Sequence, residues 1–317
     1  MTSAGLTLRD ATTVPGRRSR WGGRGAPTVR VSVPPLGPRL QLVRSSLVLL
    51  AIVSIAVLLQ LLVVSRLQAH AAQGQAFDDF RGRLARGVAP IGPTDEQGRP
   101  LALGTPVAFL EIPSIGLRQV IGEGTTPSVL FGGPGHRRDT PLPGQIGTSV
   151  VLGRRAAYGG AFANLTDLAP GDRITLTTGQ GVFQYSVLGV RPEGVAAPAA
   201  PEPTAARLLL VTAAGSPFLP EGLLRVDADL VGEAVVGPTR LVGASGLTAA
   251  ERAMGSDTST LWALALWLQA LIVLSLGVVW AWHRWGRAQA WVVFLPPLLL
   301  VGLAASGEAA RLLPNLM

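Results

Sequence analysis

The 317-residue chain contains no cysteine, only three histidines and only two tyrosines. Without cysteine no disulfide framework can hold an extracellular domain, so stability must come from buried apolar surface. A domain of roughly 130 residues is large enough for that. The few histidines also argue against a metal centre: His70 and His136 lie far apart, with no acidic cluster beside them. No cofactor is implied. The glycine-rich stretch Gly132-Gly133-Pro134-Gly135-His136 lacks the Gly-Lys-Ser/Thr ending of a phosphate loop and any following helix signal. Internal repeats are absent as well.

What the chain has in excess is apolar sequence. Hydrophobic residues make up 48% and mean hydropathy is +0.40, too apolar for an ordinary soluble protein. The excess is clustered in Leu47 to Val64, Leu261 to Trp282 and Trp291 to Ala305. The first two runs have the length of a membrane-spanning helix, about 20 residues. The third is shorter and holds Pro296-Pro297, which predicts a kink or a re-entrant piece.

The net charge of +8 is carried largely ahead of the first run, by Arg9, Arg17, Arg18, Arg20, Arg24, Arg30, Arg39 and Arg44 against Asp10 alone. Basic segments flanking a span stay in the cytoplasm, so this cluster is a topology signal with some affinity for anionic headgroups. Nucleic-acid binding would need interleaved aromatics or a recognisable module, and Trp21 supplies neither; no nucleic acid is expected. Ala69-His70-Ala71 looks like a signal-peptidase site, but the basic region before it is far too long for a signal peptide, which favours an uncleaved anchor.

These signals divide the chain. Residues 1–44 read as a disordered Arg-rich cytoplasmic tail, 45–66 as a transmembrane helix, and 67–104 as a short amphipathic helix (Phe77, Phe80, Leu84) followed by a Pro- and Gly-marked linker. Residues 105–232 form the globular domain. A linker (233–258), a second span (259–282), a cytoplasmic loop (283–290), a third membrane segment (291–306) and an outer tail (307–317) complete the chain. Trp262, Trp267, Trp280, Trp282, Trp285 and Trp291 gather at the span ends as an aromatic belt. The expected arrangement is multi-pass, with the N-terminus cytoplasmic and the globular domain on the extracellular face.

Within that domain the texture is β. Thr148 to Leu152 is a short apolar run between glycines, and Arg173 to Thr178 alternates polar with apolar. Gly179-Gln180-Gly181 makes a turn, and Phe183, Tyr185 and Val187 continue the alternation. Leu208 to Thr212 reads as a buried strand, and Leu224 to Leu230 alternates again. Many short strands with Gly and Pro turns predict a mainly β fold, a small closed barrel flanked by transmembrane α-helices. Asn164-Leu165-Thr166 matches a glycosylation acceptor, yet Phe162, Leu165 and Leu168 form an apolar turn that packing explains better.

The order Leu110-Glu111-Ile112-Pro113-Ser114-Ile115-Gly116-Leu117, Gly132-Gly133-Pro134-Gly135-His136, Pro143-Gly144-Gln145-Ile146-Gly147-Thr148, Val151-Leu152-Gly153-Arg154-Arg155 and Leu209-Leu210-Val211-Thr212-Ala213 resembles the sortases, transpeptidases of the Gram-positive surface, and among them the class E-like actinobacterial type. The resemblance implies a sortase β-barrel and a peptide ligand of the Leu-Pro-x-Thr-Gly kind. It also implies a Cys nucleophile after the residue that is here Thr212 and a His acid after the one that is here Gly153. This chain has Ala213 and Arg154 there. A methyl group cannot attack a carbonyl, and a guanidinium stays protonated to a pH of about 12, so it cannot serve as the acid. The family's oxyanion-stabilising Arg falls on Leu223, with Arg225 two residues on.

The expectation is a pseudo-sortase whose groove is lined by Arg154, Arg155, Tyr158, His136, Thr212 and Arg225 and binds a sorting-signal-like peptide or a surface protein. The alternative is a scaffold for an active sortase. A lesser alternative is a hydrolase using Thr212 or Ser216 as nucleophile. A last expectation concerns Leu313-Pro314-Asn315-Leu316-Met317, which begins like a sorting signal and could lie in the chain's own groove.

Overall fold

The computed structural model describes residues 58–216, 219–239, 241–284 and 286–317. The Arg-rich tail and most of the first apolar run lie outside the described residues. Eight strands close into one barrel in the order β1-β2-β3-β4-β7-β8-β6-β5. They are β1 (Pro106–Ile112), β2 (Leu117–Glu123), β3 (Gly135–His136), β4 (Gly147–Leu152), β5 (Arg173–Thr178), β6 (Gly181–Pro192), β7 (Ala206–Ser216) and β8 (Leu219–Val231). Closure passes through the two-residue β3, which pairs only with Gly122–Glu123 of β2 and Val151–Leu152 of β4.

The alternation that marked the strands now has its cause. Leu110, Ile174, Leu176, Leu208, Leu210 and Val226 are each fully buried and point inward, where they form one core. Burying each such side chain contributes about 1.5–3 kcal/mol. The β5–β6 hairpin turns through Gly179-Gln180, with Thr178 opposite Gly181. Phe162 and Leu165 are fully buried in the same core while Asn164 is exposed, so that turn packs the barrel from one end.

Two pairings set the site. β4 runs parallel to β7, and β7 pairs antiparallel with β8, so these three strands form one continuous wall. Its inner face belongs to the barrel core. Its outer face carries a separate apolar cluster around Val150, Leu152, Val211 and Ala213.

Helix α1 (Ser65–Arg86) follows a π-helical turn, Gln60–Val64, and ends at Gly87 in the left-handed conformation. It is clamped to the barrel by Gln73, whose Nε2 donates to the carbonyls of Val120 and Gly132 and whose Oε1 accepts from Val120 N–H. Phe77 packs on Phe109 with ring centroids 5.1 Å apart, and Phe80 is 1% exposed. The short α2 (Pro127–Gly132) is capped by Thr126.

Helices α3 (Leu261–Arg284) and α4 (Arg287–Arg311) form a hairpin whose open ends are tied by Asp257 N–H donating to Arg311 O at 3.0 Å. Both are long and apolar enough to cross a membrane, and they are the two such helices among the described residues. At 1.5 Å per residue each is about 36 Å long, more than the roughly 30 Å of hydrocarbon. The helical assignment of α4 continues through Pro296 and Pro297. It therefore extends past both ends of the 291–306 segment read from the apolar run.

Candidate functional site

The outer face of the β4–β7–β8 wall places Ala213 at its centre. Ala213 is 1% exposed and shares its cluster with Leu130 of α2, Val150, Leu152, Val211 and Leu316, with Leu223 and Met254 at the margin. Strand periodicity decides what else can join it. Thr212, the neighbour, turns to the other side of the sheet: it is fully buried and pairs with Leu224 of the barrel core. Thr212 is thus not part of this face, contrary to its expected place in the groove. Ser216 is exposed near the end of β7, three residues beyond Ala213.

The β7–β8 register puts Leu223 opposite Ala213 and Arg225 opposite Val211. The ladder runs without a shift from Arg207 to Ala213, and its bulge comes only after Ala213. No slip moves Arg225 into the Leu223 position.

Arg154 follows β4, whose end is fixed by Gly153 N–H donating to Val211 O at 3.0 Å. Its side chain is buried, 1% exposed. The guanidinium carbon lies 4.7 Å from the Phe131 ring centroid and 5.3 Å from that of Tyr158, and the two rings stack on each other at 4.0 Å. Nη1 donates to the main-chain oxygen of Met317 at 3.2 Å, while Nε and Nη2 are buried without a hydrogen-bond partner. Removal from water pulls the guanidinium down to about 10. Two aromatic faces offset part of the cost of burying the cation. Burial raises the Tyr158 hydroxyl, with Arg154 and Arg311 opposing. Tyr158 holds a positive φ of 54°, rare for a residue with a side chain, at the start of a turn completed by Gly159 and Gly160. Arg155 donates its main-chain N–H to Leu316 O at 2.9 Å, and its side chain reaches Ala213 O at 3.5 Å.

His136 is elsewhere. It is 2% exposed on β3, with Nδ1 2.8 Å from Glu123 Oε2 and Nε2 3.0 Å from Pro141 O and 3.2 Å from Thr140 Oγ1. This is a hydroxyl, an imidazole and a carboxylate in line, the connectivity of a hydrolytic triad. The protons exclude that use. Thr140 donates its own proton to Arg137 O at 2.8 Å and accepts from Val150 N–H at 3.1 Å. Nε2 faces a carbonyl that can only accept, so it carries a proton and cannot take one from Thr140. His136 is a buried strut and does not line the Ala213 face, contrary to its expected place in the groove.

The structure thus brings Arg154, Arg155 and Ala213 together, with Tyr158 stacked behind them and Arg225 to one side. It adds Phe131, which strand patterns could not place, and it seats the C-terminal residues on this face, the place expected for residues 313–317. Among the described residues no cluster of His, Asp and Glu could hold a metal.

Residues 110–218 match the family model described as Sortase domain. This segment of the barrel is a sortase domain. The match spans both Arg154 and Ala213. Among solved structures, the chain is similar to the sortase D5 transpeptidase of Clostridium perfringens, at 22% identity over 51% of this chain and 99% of that one, with a TM-score of 0.42. It is also similar to a sortase E variant of Streptomyces avermitilis, at 29% identity over 42% and 91% with a TM-score of 0.36. Sortase A of Corynebacterium diphtheriae matches at 20% identity over 53% and 93%, with a TM-score of 0.38. No curated protein matches the chain.

Proposed function

We propose that the protein is a membrane-anchored, catalytically inactive sortase-like protein of the bacterial surface that holds a peptide or protein partner on its Ala213 face. The observation that carries this reading is the pair Ala213, on the wall, and Arg154, just past the end of β4. Ala213 and Arg154 are both buried there, where the family places a nucleophile and an acid, and Leu223 stands opposite Ala213. Of the neighbouring hydroxyls, Thr212 faces the core and Ser216 lies three residues on at the strand's exposed end. Neither has a base in reach among the described hydrogen bonds. A re-invented hydrolase has no geometric support on this wall.

The membrane part of the reading is supported by two helices that expose large apolar side chains, among them Trp262 at 84% and Val292 at 77%. The open end of their hairpin lies at the barrel and the Arg284–Arg287 turn lies at the far end. Arginines at that turn favour the cytoplasm, which supports a barrel on the outer side.

The scaffold alternative draws support from a different fact: the Ala213 face is already filled by the chain's own C-terminal residues. Titrating the full-length protein in nanodiscs with a fluorescent Leu-Pro-x-Thr-Gly-type peptide separates the two. Saturable anisotropy without product supports a receptor. A flat response, also with the C-terminal residues loosened, supports the scaffold.

A further inference from the structure

Beyond Arg311 the chain turns back onto the barrel. Asn315 is wholly buried, and its side-chain Nδ2 points at three main-chain oxygens: Thr125 at 3.0 Å, Ala250 at 3.2 Å and Arg252 at 2.9 Å. Its own N–H donates to Gly255 O at 2.9 Å. Leu316, also fully buried, inserts its side chain into the cluster around Ala213, and its carbonyl accepts from Arg155 N–H. Met317 then supplies the oxygen that Arg154 reaches. A polar anchor, an apolar side chain in a pocket and main-chain pairing are together the way a folded domain grips a peptide segment.

The grip is incomplete. Arg154 Nε and Nη2, Arg155 Nε and Asn315 Oδ1 are buried with no hydrogen-bond partner. Orphaned polar groups of that kind are costly, most of all on a cation. A carboxylate seated on the Nε–Nη2 edge of Arg154 would meet both orphaned donors, whereas Met317 is bonded through Nη1 alone.

We propose that residues 313–317 are a built-in competitor for the Ala213 face: they cover it in the resting protein, and a peptide bearing a carboxylate displaces them. The displacement rests on the reading of this face as a peptide-binding surface; the cover does not.

The chain has neither cysteine nor lysine, so a single introduced thiol is the side chain that takes up maleimide. Ala213→Cys and, with no added bulk beneath Leu316, Leu223→Cys report on the face in the full-length protein in nanodiscs. Combining either with Asn315→Ala and Leu316→Ala is expected to speed labelling by about 10-fold or more, since a buried anchor and its hydrogen bonds are lost. Ile174→Cys, inside the barrel, stays unlabelled in both backgrounds and shows that the fold persists. Equal rates with and without the tail substitutions, fast or slow, would overturn the cover.

In the opened protein, C-terminally amidated Leu-Leu-Pro-Asn-Leu-Met should restore slow labelling. The version ending in Glu should do so at roughly 10-fold lower concentration, a charge-assisted bidentate pair replacing a single bond. Equal potency would overturn displacement by a carboxylate. Protection by neither peptide on a face that does open would sink the competitor and the peptide-binding reading together while leaving the cover established.

Discussion

Ala213 stands directly opposite Leu223 on the wall shared by β7 and β8, in a ladder that holds its register from Arg207 to that point. Both positions are apolar, so the place where the family would gather a thiolate and a guanidinium is a hydrocarbon surface. Arg225 is one strand pair further along, opposite Val211, about 7 Å away by strand rise. On the proposed reading, hydrocarbon stands there in place of both the nucleophile and the oxyanion partner.

Arg154 is held in the fold at a cost, as its lowered value of about 10 records. Replacing a buried, under-bonded cation by an apolar group of similar length is neutral or stabilising. Arg154→Met should raise stability by about 1 kcal/mol, read as a higher Tm in detergent, while Arg154→Ala should lower it by leaving a cavity under Phe131 and Tyr158. A lower Tm for the Met variant would mean that stacking on Phe131 and Tyr158 outweighs the cost of burying the cation.

Glu123 and His136 form a pair that is 3% and 2% exposed. Removing one member strands the other in the interior, so His136→Ala should cost about 3–5 kcal/mol. Labelling of a thiol at Leu223 in protein that remains folded should not change. A change in that rate without loss of stability would return His136 to the groove.

Glu251 clamps the segment on which Asn315 is anchored. Burial pushes its carboxyl up, but the bonds from Arg138 and Thr248 outweigh burial and hold it below its ordinary value of 4.5. With the folded value depressed, the stability it contributes is complete above pH 4.5 and is lost as pH falls through the lowered value. Glu251→Gln should flatten that acid limb of the Tm profile. An unchanged acid limb would remove Glu251 from the account.

Gly144 sits in the Pro143-Gly144-Gln145-Ile146-Gly147 motif with φ at 93°, and a Cβ there would lie 2.3 Å from the Phe183 ring. Its N–H donates to the Tyr185 hydroxyl, which burial pushes up to about 12. Gly144→Ala should destabilise by about 2 kcal/mol or more, combining backbone strain with overpacking; a neutral effect on Tm would show that Phe183 can move aside.

The barrel was legible because its strands write their burial into the sequence every second residue, as in Arg173–Thr178. Ala213 and Arg154 stood out because the motifs around them are continuous in sequence. Thr212 and His136 were misplaced for opposite reasons. Thr212 was grouped with the groove by proximity, although alternation turns it inward. His136 was grouped by its motif, although Glu123, its partner on another strand, holds it in the wall. The seating of Asn315 has no local signature, because its partner Thr125 is 190 residues away and it recognises main-chain oxygens that any sequence would present.

The most direct test is chemical. Full-length protein, with and without Asn315→Ala and Leu316→Ala, is incubated with a Leu-Pro-x-Thr-Gly-type peptide and an amine acceptor, and products are followed by mass spectrometry. The account expects no cleaved or transferred product above the protein-free control in either form. Product that grows with protein concentration, above all in the opened form, would contradict it and require a nucleophile that the Ala213 face does not hold.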